Sequence, residues 1–524
     1  MKKECILSCV MACMFFGVSV QAQDVQQPTP EATSQIAKSD PAPAPNDAPA
    51  SPAANPEQSQ PMPEAVAIPA YIIKMVEVGQ KYDKYNPQDW TVADFPSTGN
   101  TLLSDRDGIR EGLAQKKIGF GYLYQTIFYD NLINPPMFGA QGKAADGKYH
   151  DPVGKDYMWW YWGQRPSYVE RSLGTLTYNP NPNTQFVFQG WDSVTNFGQG
   201  EQCNSPRVAA LNLNQYLFNR KMQLSAGYMA QGWHTVGFFV AGNLASSLLG
   251  NAAILQALIG QAPPYHVTPG IDVRYNWTSH IYTVDAVASS ADPIHSAAPS
   301  SMGDMRFAPH GAKAIITQEL GYKRDFAPGV RKLWMRVDGL YNFTKYPDYR
   351  SSGLLFAPGS PIPTGFGTTK KTDNNWGFSG AFDYQFKQLD KILFPRGLFV
   401  GGTMQYAPPQ QNMYSQYYEL RTYAIGLWKK RPMDMLTLQA NHLGFSSIWV
   451  KNYVVPGQQL QAAMTNTYIN PSWDSGQQGY SATYVARVAN GLFFNQTWMY
   501  TTHPTPAPKT PNSFVYNGAL TFFF

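Results

Sequence analysis

Cysteine is nearly missing from the body of this chain: Cys5, Cys9 and Cys13 fall within the first 22 positions, and only Cys203 lies beyond them. A lone thiol excludes an internal disulfide framework. Charge is also scarce, with Asp, Glu, Lys and Arg together at 14% and a net charge of +5 over 524 residues. So few basic clusters exclude nucleic acid as an expected partner. Beyond the leader there is no uninterrupted apolar stretch of about 18 residues, which excludes helical membrane spans. The mean hydropathy of −0.33 does not argue against a membrane, because barrel strands dilute apolar residues with polar ones that face the bore.

What the chain does have is aromatic residues, at 14%, together with abundant Tyr, Gly and Asn. Its last eleven residues read FVYNGALTFFF. Phe514, Tyr516, Gly518, Leu520, Phe522 and Phe524 share one face of an extended strand, while Asn517 and Thr521 share the other. An apolar outside and a smaller, more polar inside at a period of two is the pattern of a transmembrane β-barrel. At the other end, Lys2 and Lys3 followed by the apolar run Ile6 to Val20 and by Val20-Gln21-Ala22 read as an export signal cleaved after Ala22. A lipoprotein box at Cys13 is the weaker reading, because the apolar run before it is short and interrupted.

Residues 23–70 are rich in Pro, Ala, Gln, Ser and Asp, including PAPAPNDAPASPAANP, and cannot bury enough apolar area to offset the entropy of ordering. A disordered periplasmic lead-in is expected there, with a tether to a periplasmic partner as the alternative. Residues 71–104 form a transitional docking segment, and residues 105–524 are expected to form the barrel. Alternating segments recur at Ile118–Phe128, Met222–Ala230, Ile271–Trp277, Leu333–Phe343, Phe378–Phe386, Leu398–Tyr406 and Leu436–Asn441. Long polar connections near Asn134–Gly163, Ser289–Gly311, Tyr346–Asn374 and Lys451–Gln478 contrast with tight joints at Asn276–Ser279 and Lys429–Asp434. The fold class is therefore all-β, a transmembrane antiparallel barrel of roughly 16 strands, with 18 as an alternative, since a span takes about 9 to 11 residues. A barrel of that width encloses an aqueous channel. The stretch Phe239–Ile259 does not alternate and reads as a helix or loop folded into or beside the bore.

LSDRDGIREGLAQKKI at Leu103–Ile118 resembles the opening of the OprB-type carbohydrate-selective porins, with Asp105, Gly108, Arg110 and Leu113 in the matching places. Further collinear matches are QYLFNRKMQLSAGYM at Gln215–Met229, QELGY at Gln318–Tyr322, RGLFVGGTMQYAPPQQN at Arg396–Asn412, YYELRTYAIGLWKKRPMD at Tyr417–Asp434 and YVARVANGLFFNQTWMYTTHP at Tyr484–Pro504. The chain departs from the family pattern at Ser481, where a Glu is usual, and at Gln496-Thr497-Trp498-Met499, where a Pro-Asp-x-Gln stretch is usual. The resemblance implies passive uptake of small carbohydrates across the outer membrane of a Gram-negative bacterium, with no cofactor. The surrounding lipid and lipopolysaccharide are the other expected partners, and the oligomeric state is open.

Alternation places Arg336, Asp338 and Asn342 inward on one strand, Asp272, Arg274 and Asn276 on a second, and Ser379, Asp383 and Gln385 on a third. With Glu319 of the QELGY match, these are the candidates for a constriction that hydrogen-bonds sugar hydroxyls while nearby Tyr and Trp rings pack against C–H faces. The plainer reading is that Arg and Asp satisfy one another across neighbouring strands. Asp105, Gly108 and Arg110 precede the first convincing strand and read as anchors of the N-terminal segment. The eight histidines form no nucleophile or metal signature, so neither an enzyme nor a metal site is expected. A general or ion-selective pore and a polysaccharide export conduit are the remaining alternatives.

Overall fold

The computed structural model describes residues 70–87, 97–133, 167–196, 201–203, 206–235, 254–262, 267–291, 311–356, 363–389, 396–465, 472–504 and 512–524. The leader, nearly all of the Pro/Ala-rich lead-in, most of the long connections and residues 239–253 lie outside them.

Sixteen long strands account for the wall. They are β1 (Ile118–Ile133), β2 (Ser167–Asn181), β3 (Thr184–Asn196), β4 (Arg207–Leu217), β5 (Met222–Met229), β6 (Thr268–Asn276), β7 (Ile281–Ser289) and β8 (Ala314–Arg324), followed by β9 (Leu333–Asn342), β10 (Asn375–Gln388), β11 (Gly397–Tyr406), β12 (Tyr414–Ile425), β13 (Met435–Phe445), β14 (Gly476–Ala489), β15 (Leu492–Thr501) and β16 (Ser513–Phe523). Each pairs antiparallel with its neighbours in sequence, and β16 returns to β1 in the register Leu123↔Phe523 through Tyr129↔Asn517. Closure leaves no edge with unpaired backbone groups, which a wall facing hydrocarbon requires. All seven segments that alternate in sequence are strands.

Side chains alternate across this wall as the sequence predicts. In β16 Phe514, Tyr516 and Leu520 face outward, while Asn517 and Thr521 are buried inward. Outward Ile271, Val287, Leu320, Val337, Leu420 and Leu438 make the apolar belt. Aromatic pairs rim it: Tyr178–Phe186, Tyr275–Trp277 and Trp428–Tyr484 at the end with short turns, and Tyr341–Phe343, Phe378–Tyr406 and Trp498–Phe514 at the end with long connections. A belt between two aromatic girdles is the surface of a membrane-spanning barrel. Among the described residues no helix is long and apolar enough to cross a membrane.

The wall begins at Ile118, where the alternation of Ile118–Phe128 begins. Helix α1 (Ala70–Tyr82) and helix α2 (Ile109–Gln115) precede it, the second arising where IREGLAQ loses the strand alternation. The chain leaves α1 across the short-turn end of the barrel. There the Asn86 carbonyl accepts from Gln185 Nε2 (2.9 Å), Leu102 N–H donates to the Phe523 carbonyl (2.7 Å), and Arg487 Nε donates to Asn100 Oδ1 (2.8 Å).

Two inserts fold into the bore from the opposite end. Helix α3 (Ile254–Ile259) lies in the non-alternating stretch singled out above. Its Ile254, Leu255 and Ile259 pack with inward Leu340 of β9, Tyr417 of β12 and Leu443 of β13. Burial of such side chains is worth about 1.5–3 kcal/mol each, enough to hold the insert against the wall. Between β13 and β14, where the sequence reads as a polar loop, Ser446 caps a turn at Trp449, and helix α4 (Val455–Thr465) follows. Trp449, Val450 and Val454 join the same apolar cluster as α3, a packing partner that local composition does not reveal.

Candidate pore constriction

Most of the candidate charges lie on one side of the bore, along β6 to β12, and Arg171 of β2 and Arg207 of β4 face inward opposite them. Arg421 of β12 is the hub, with only 3% of its side chain exposed. Its Nη2 lies 2.9 Å from Asp383 Oδ2, its Nε donates to Asp383 Oδ1 at 3.2 Å, and its Nη1 donates to Glu419 and to Thr403 Oγ1. Asp383 sits on β10, so the guanidinium must cross β11 to reach it. It does so over Gly401, which pairs in register with both Asp383 and Arg421. A Cβ at Gly401 would lie 2.5 Å from Asp383 Oδ1 and 2.8 Å from Arg421 Nε. Glycine is therefore needed for the close approach. The Tyr423 hydroxyl completes the group by donating to Asp383 Oδ1 at 3.3 Å.

A second network repeats the device on β7 to β10. Glu319, Asp338 and Ser379 share one rung of three neighbouring strands, and Ser379 Oγ donates to Asp338 Oδ1 at 2.6 Å. The Tyr282 ring lies over Gly321, where a Cβ would meet it at 2.1 Å. From there its hydroxyl donates to Glu319 Oε1 (2.8 Å) and accepts from Trp334 Nε1 (2.9 Å). Arg274 stacks over the Tyr282 ring at 4.4 Å, and Arg336 over Trp334 at 4.2 Å. These ring faces hold guanidinium groups by cation–π stacking. The rings support the cations rather than offering those faces to a solute.

Arg336, Asp338, Glu319, Asp383 and Arg274 thus come together on one wall. The other candidates do not join them. Asn342 is enclosed, its amide donating to Ser290 Oγ (2.7 Å) and to the Ile259 carbonyl, so it clamps α3 in place. Asp272 is enclosed against His234 Nδ1 at 2.8 Å. Gln385 joins the bases of neighbouring turns, accepting from Lys332 N–H (3.1 Å) and donating to the Arg396 carbonyl (3.2 Å). Asn276 lies at the turn end, 3.4 Å from Arg274 Nε. Sequence reading missed Arg421 and Glu419 as site residues. The signal was the alternation of YELRTY, which places Glu419, Arg421 and Tyr423 on the same side as Tyr417.

The wall formed by β14 to β16 and continuing through β1 to β4 differs in kind. Gln125 donates to Thr521 (2.9 Å), Gln189 to Thr175 (3.1 Å), Asn212 to Asn214 (2.8 Å) and Thr497 to Asn495 (3.1 Å). Its middle presents amides and hydroxyls, while Arg171 of β2 and Arg207 of β4 face inward nearer the end with long connections.

Asp105, Gly108 and Arg110 lie below the bore in the N-terminal segment. Tyr82 donates to Asp105 Oδ2 at 2.7 Å, Gly108 with φ +64° starts α2, and Arg110 donates to the Phe120 carbonyl (2.8 Å) and to Thr101 Oγ1 (3.2 Å). Asp83, also in this segment, accepts from Thr98 N–H at 2.7 Å, and burial pushes its carboxyl up to about 7. Burial likewise lowers the Arg110 guanidinium to about 10 despite the nearby carboxylates of Asp83 and Asp105.

No family model and no curated protein match this chain. Solved structures do. The high-pH structure of Pseudomonas putida OprB superposes with a TM-score of 0.61 at 14% identity, covering 83% of this chain and 100% of that one. The low-pH structure of the same protein gives 0.46 at 11% identity with the same coverage. A triple mutant of the Rhodopseudomonas blastica porin gives 0.36 at 10% identity, covering 78% of this chain and 100% of that one. At 14% identity the first of these likenesses is one of fold: the chain has the closed barrel architecture of an OprB-type porin.

Proposed function

We propose that this barrel is an outer-membrane porin of the OprB type that passes small neutral carbohydrates passively into the periplasm. The observation that carries the reading is the internal pairing of the inward charges. Arg421 is held between Asp383 and Glu419, and a wall whose charges neutralise one another offers ions little net field. Amides and hydroxyls on the other wall suit a solute that donates and accepts many weak hydrogen bonds. Arg274 and Arg336 are the groups that meet the sugar in this reading, with the enclosed Glu319 holding the Tyr282 hydroxyl behind them. Residues 23–70 serve as the periplasmic lead-in, and no cofactor takes part.

Liposome swelling with pure protein tests the proposal. Pentoses and hexoses should enter fast, trisaccharides slowly, and gluconate more slowly than glucose. Equal swelling in glucose and in isosmotic amino acids of similar size would instead mark a general pore. Rapid entry of long oligosaccharides would mark an export conduit.

A further inference from the structure

The rim at the short-turn end carries several guanidinium groups that are already engaged. Arg431 Nε lies 2.6 Å from Asp434 Oδ2, Arg487 donates to Asn100 and Asn490, and Arg220 stacks over the Tyr216 ring at 4.0 Å. The joint between β8 and β9 differs. Its outward Arg324 and Arg331 stand side by side, Arg324 Nε donating to the Arg331 carbonyl at 3.0 Å and Arg331 Nη1 to the Tyr384 hydroxyl at 3.2 Å. Among the described residues neither guanidinium meets a carboxylate, because the adjacent Asp325 turns to Lys323 on the bore side, at 3.5 Å. Two like charges are thus held together by neutral acceptors, each with further N–H groups to offer.

The lipid face beyond them is hollowed. Leu333 and Tyr384 share a rung with Arg324, and the next outward rung runs from Ile281 through Tyr322, Met335, Phe382 and Gly402 to Leu420. The rung after that sets Gly380 between Val337 and Met404. Gly380 and Gly402 leave the wall bare between large, exposed apolar side chains, and a Cβ at Gly380 would touch its neighbours only at ordinary distances of 3.6–3.7 Å. The groove so formed holds about 920 Å³, within the range of roughly 300–1,000 Å³ that ligand sites take.

We propose that this face binds an anionic phospholipid of the periplasmic leaflet, its phosphate on Arg324 and Arg331 and an acyl chain in the groove. Short turns mark the periplasmic end of such a barrel. A guanidinium presents its N–H groups as a fork that matches two phosphate oxygens, and the Tyr384 hydroxyl, which accepts from Arg331, keeps its own proton to donate. Charge selects the headgroup. A zwitterionic lipid brings its own ammonium toward two cations, whereas an anionic one brings only the phosphate charge that neutralises them. Gly380 and Gly402 then let the chain lie against the wall where the rest of the belt projects side chains. This inference rests on the barrel's spanning a membrane and is independent of what passes through it.

Native mass spectrometry of the full-length chain in detergent tests it. At equal concentration, dioleoylphosphatidylglycerol should leave about fivefold or more singly lipidated protein than dioleoylphosphatidylcholine. Replacing both arginines, Arg324→Gln with Arg331→Gln, should abolish that preference, while Lys429→Gln with Lys430→Gln, on another turn of the same rim, should preserve it. Gly380→Trp, which fills the groove, should lower phosphatidylglycerol retention although both arginines remain. Heat-modifiable mobility reports that each variant is folded, and either arginine replaced alone serves if the double variant does not assemble. Equal retention of the two lipids, a preference that survives loss of the arginines, retention unchanged by Gly380→Trp, or binding of inorganic phosphate in place of the lipid when both are offered would overturn the proposal.

Discussion

The two walls of the bore reach a polar lining by different means. On the β6–β12 side, full charges are held in fixed geometry by glycines that let side chains cross a neighbouring strand, as Arg421 does over Gly401 and Tyr282 over Gly321. On the β14–β4 side, uncharged amides and hydroxyls pair with near neighbours, as in Gln125–Thr521 and Gln189–Thr175. Removing one member of a buried charge pair leaves an uncompensated ion, whereas removing one neutral hydroxyl loses only modest hydrogen bonds. The lining should therefore be fragile on one side and tolerant on the other.

Three perturbations exploit that contrast, and a fourth probes the N-terminal segment. The largest effect is expected from Arg421→Ala, which strands Asp383 and Glu419. Breaking a buried pair in this way costs about 3–5 kcal/mol, so the midpoint for unfolding from detergent or lipid should fall clearly, as read by loss of heat-modifiable mobility. Gly401→Val comes next. It leaves every charge in place but displaces the guanidinium from Asp383, so sugar permeation in swelling assays should change while the barrel still assembles.

A third effect concerns the N-terminal segment rather than the lining. The Asp83 carboxyl titrates at about 7 when docked, against an ordinary value of 3.8, so its contribution to docking is fully present below about pH 4 and is lost as pH rises through 7. Proteolysis of residues 70–117 should accelerate between pH 5 and 8, and Asp83→Asn should flatten that dependence. The smallest effect is expected from Thr497→Val on the neutral wall. It removes the bonds to Asn495 Oδ1 and Thr483 Oγ1, should cost about 1–3 kcal/mol and should leave conductance and ion preference unchanged.

Much of the barrel was legible in the sequence because a closed sheet between lipid and water writes its sidedness at a period of two. Leu333–Asn342 shows this, with Met335 and Val337 outward and Arg336 and Asp338 inward, as alternation alone requires. Closure and strand number followed from span length and turn spacing. What alternation cannot report is lateral neighbourhood. The Asp383–Gly401–Arg421 rung joins positions on three strands, and the role of a glycine as a gap appears only once those strands stand side by side. For the same reason Asn342 read as a lining group, although a helix some eighty residues earlier lies on top of it. The inserts α3 and α4 fold inward to share apolar contacts with the wall; α3 lies in the non-alternating stretch read as a helix or loop in or beside the bore, whereas α4 lies in a segment that reads as a polar loop. The IREGLAQ helix begins inside the Asp-Gly-x-Arg motif, at Ile109, so the motif lies ahead of the first strand as its lack of alternation indicates.

The most direct test of the charged wall's role is the reversal potential of single channels in planar bilayers under a KCl gradient, compared between the wild-type chain and Arg421→Ala. Self-neutralised pairing gives a near-zero potential for the wild type and a strong shift toward cations once Asp383 and Glu419 lose their partner. A strongly ion-selective wild type, or a variant with an unchanged potential, would contradict it.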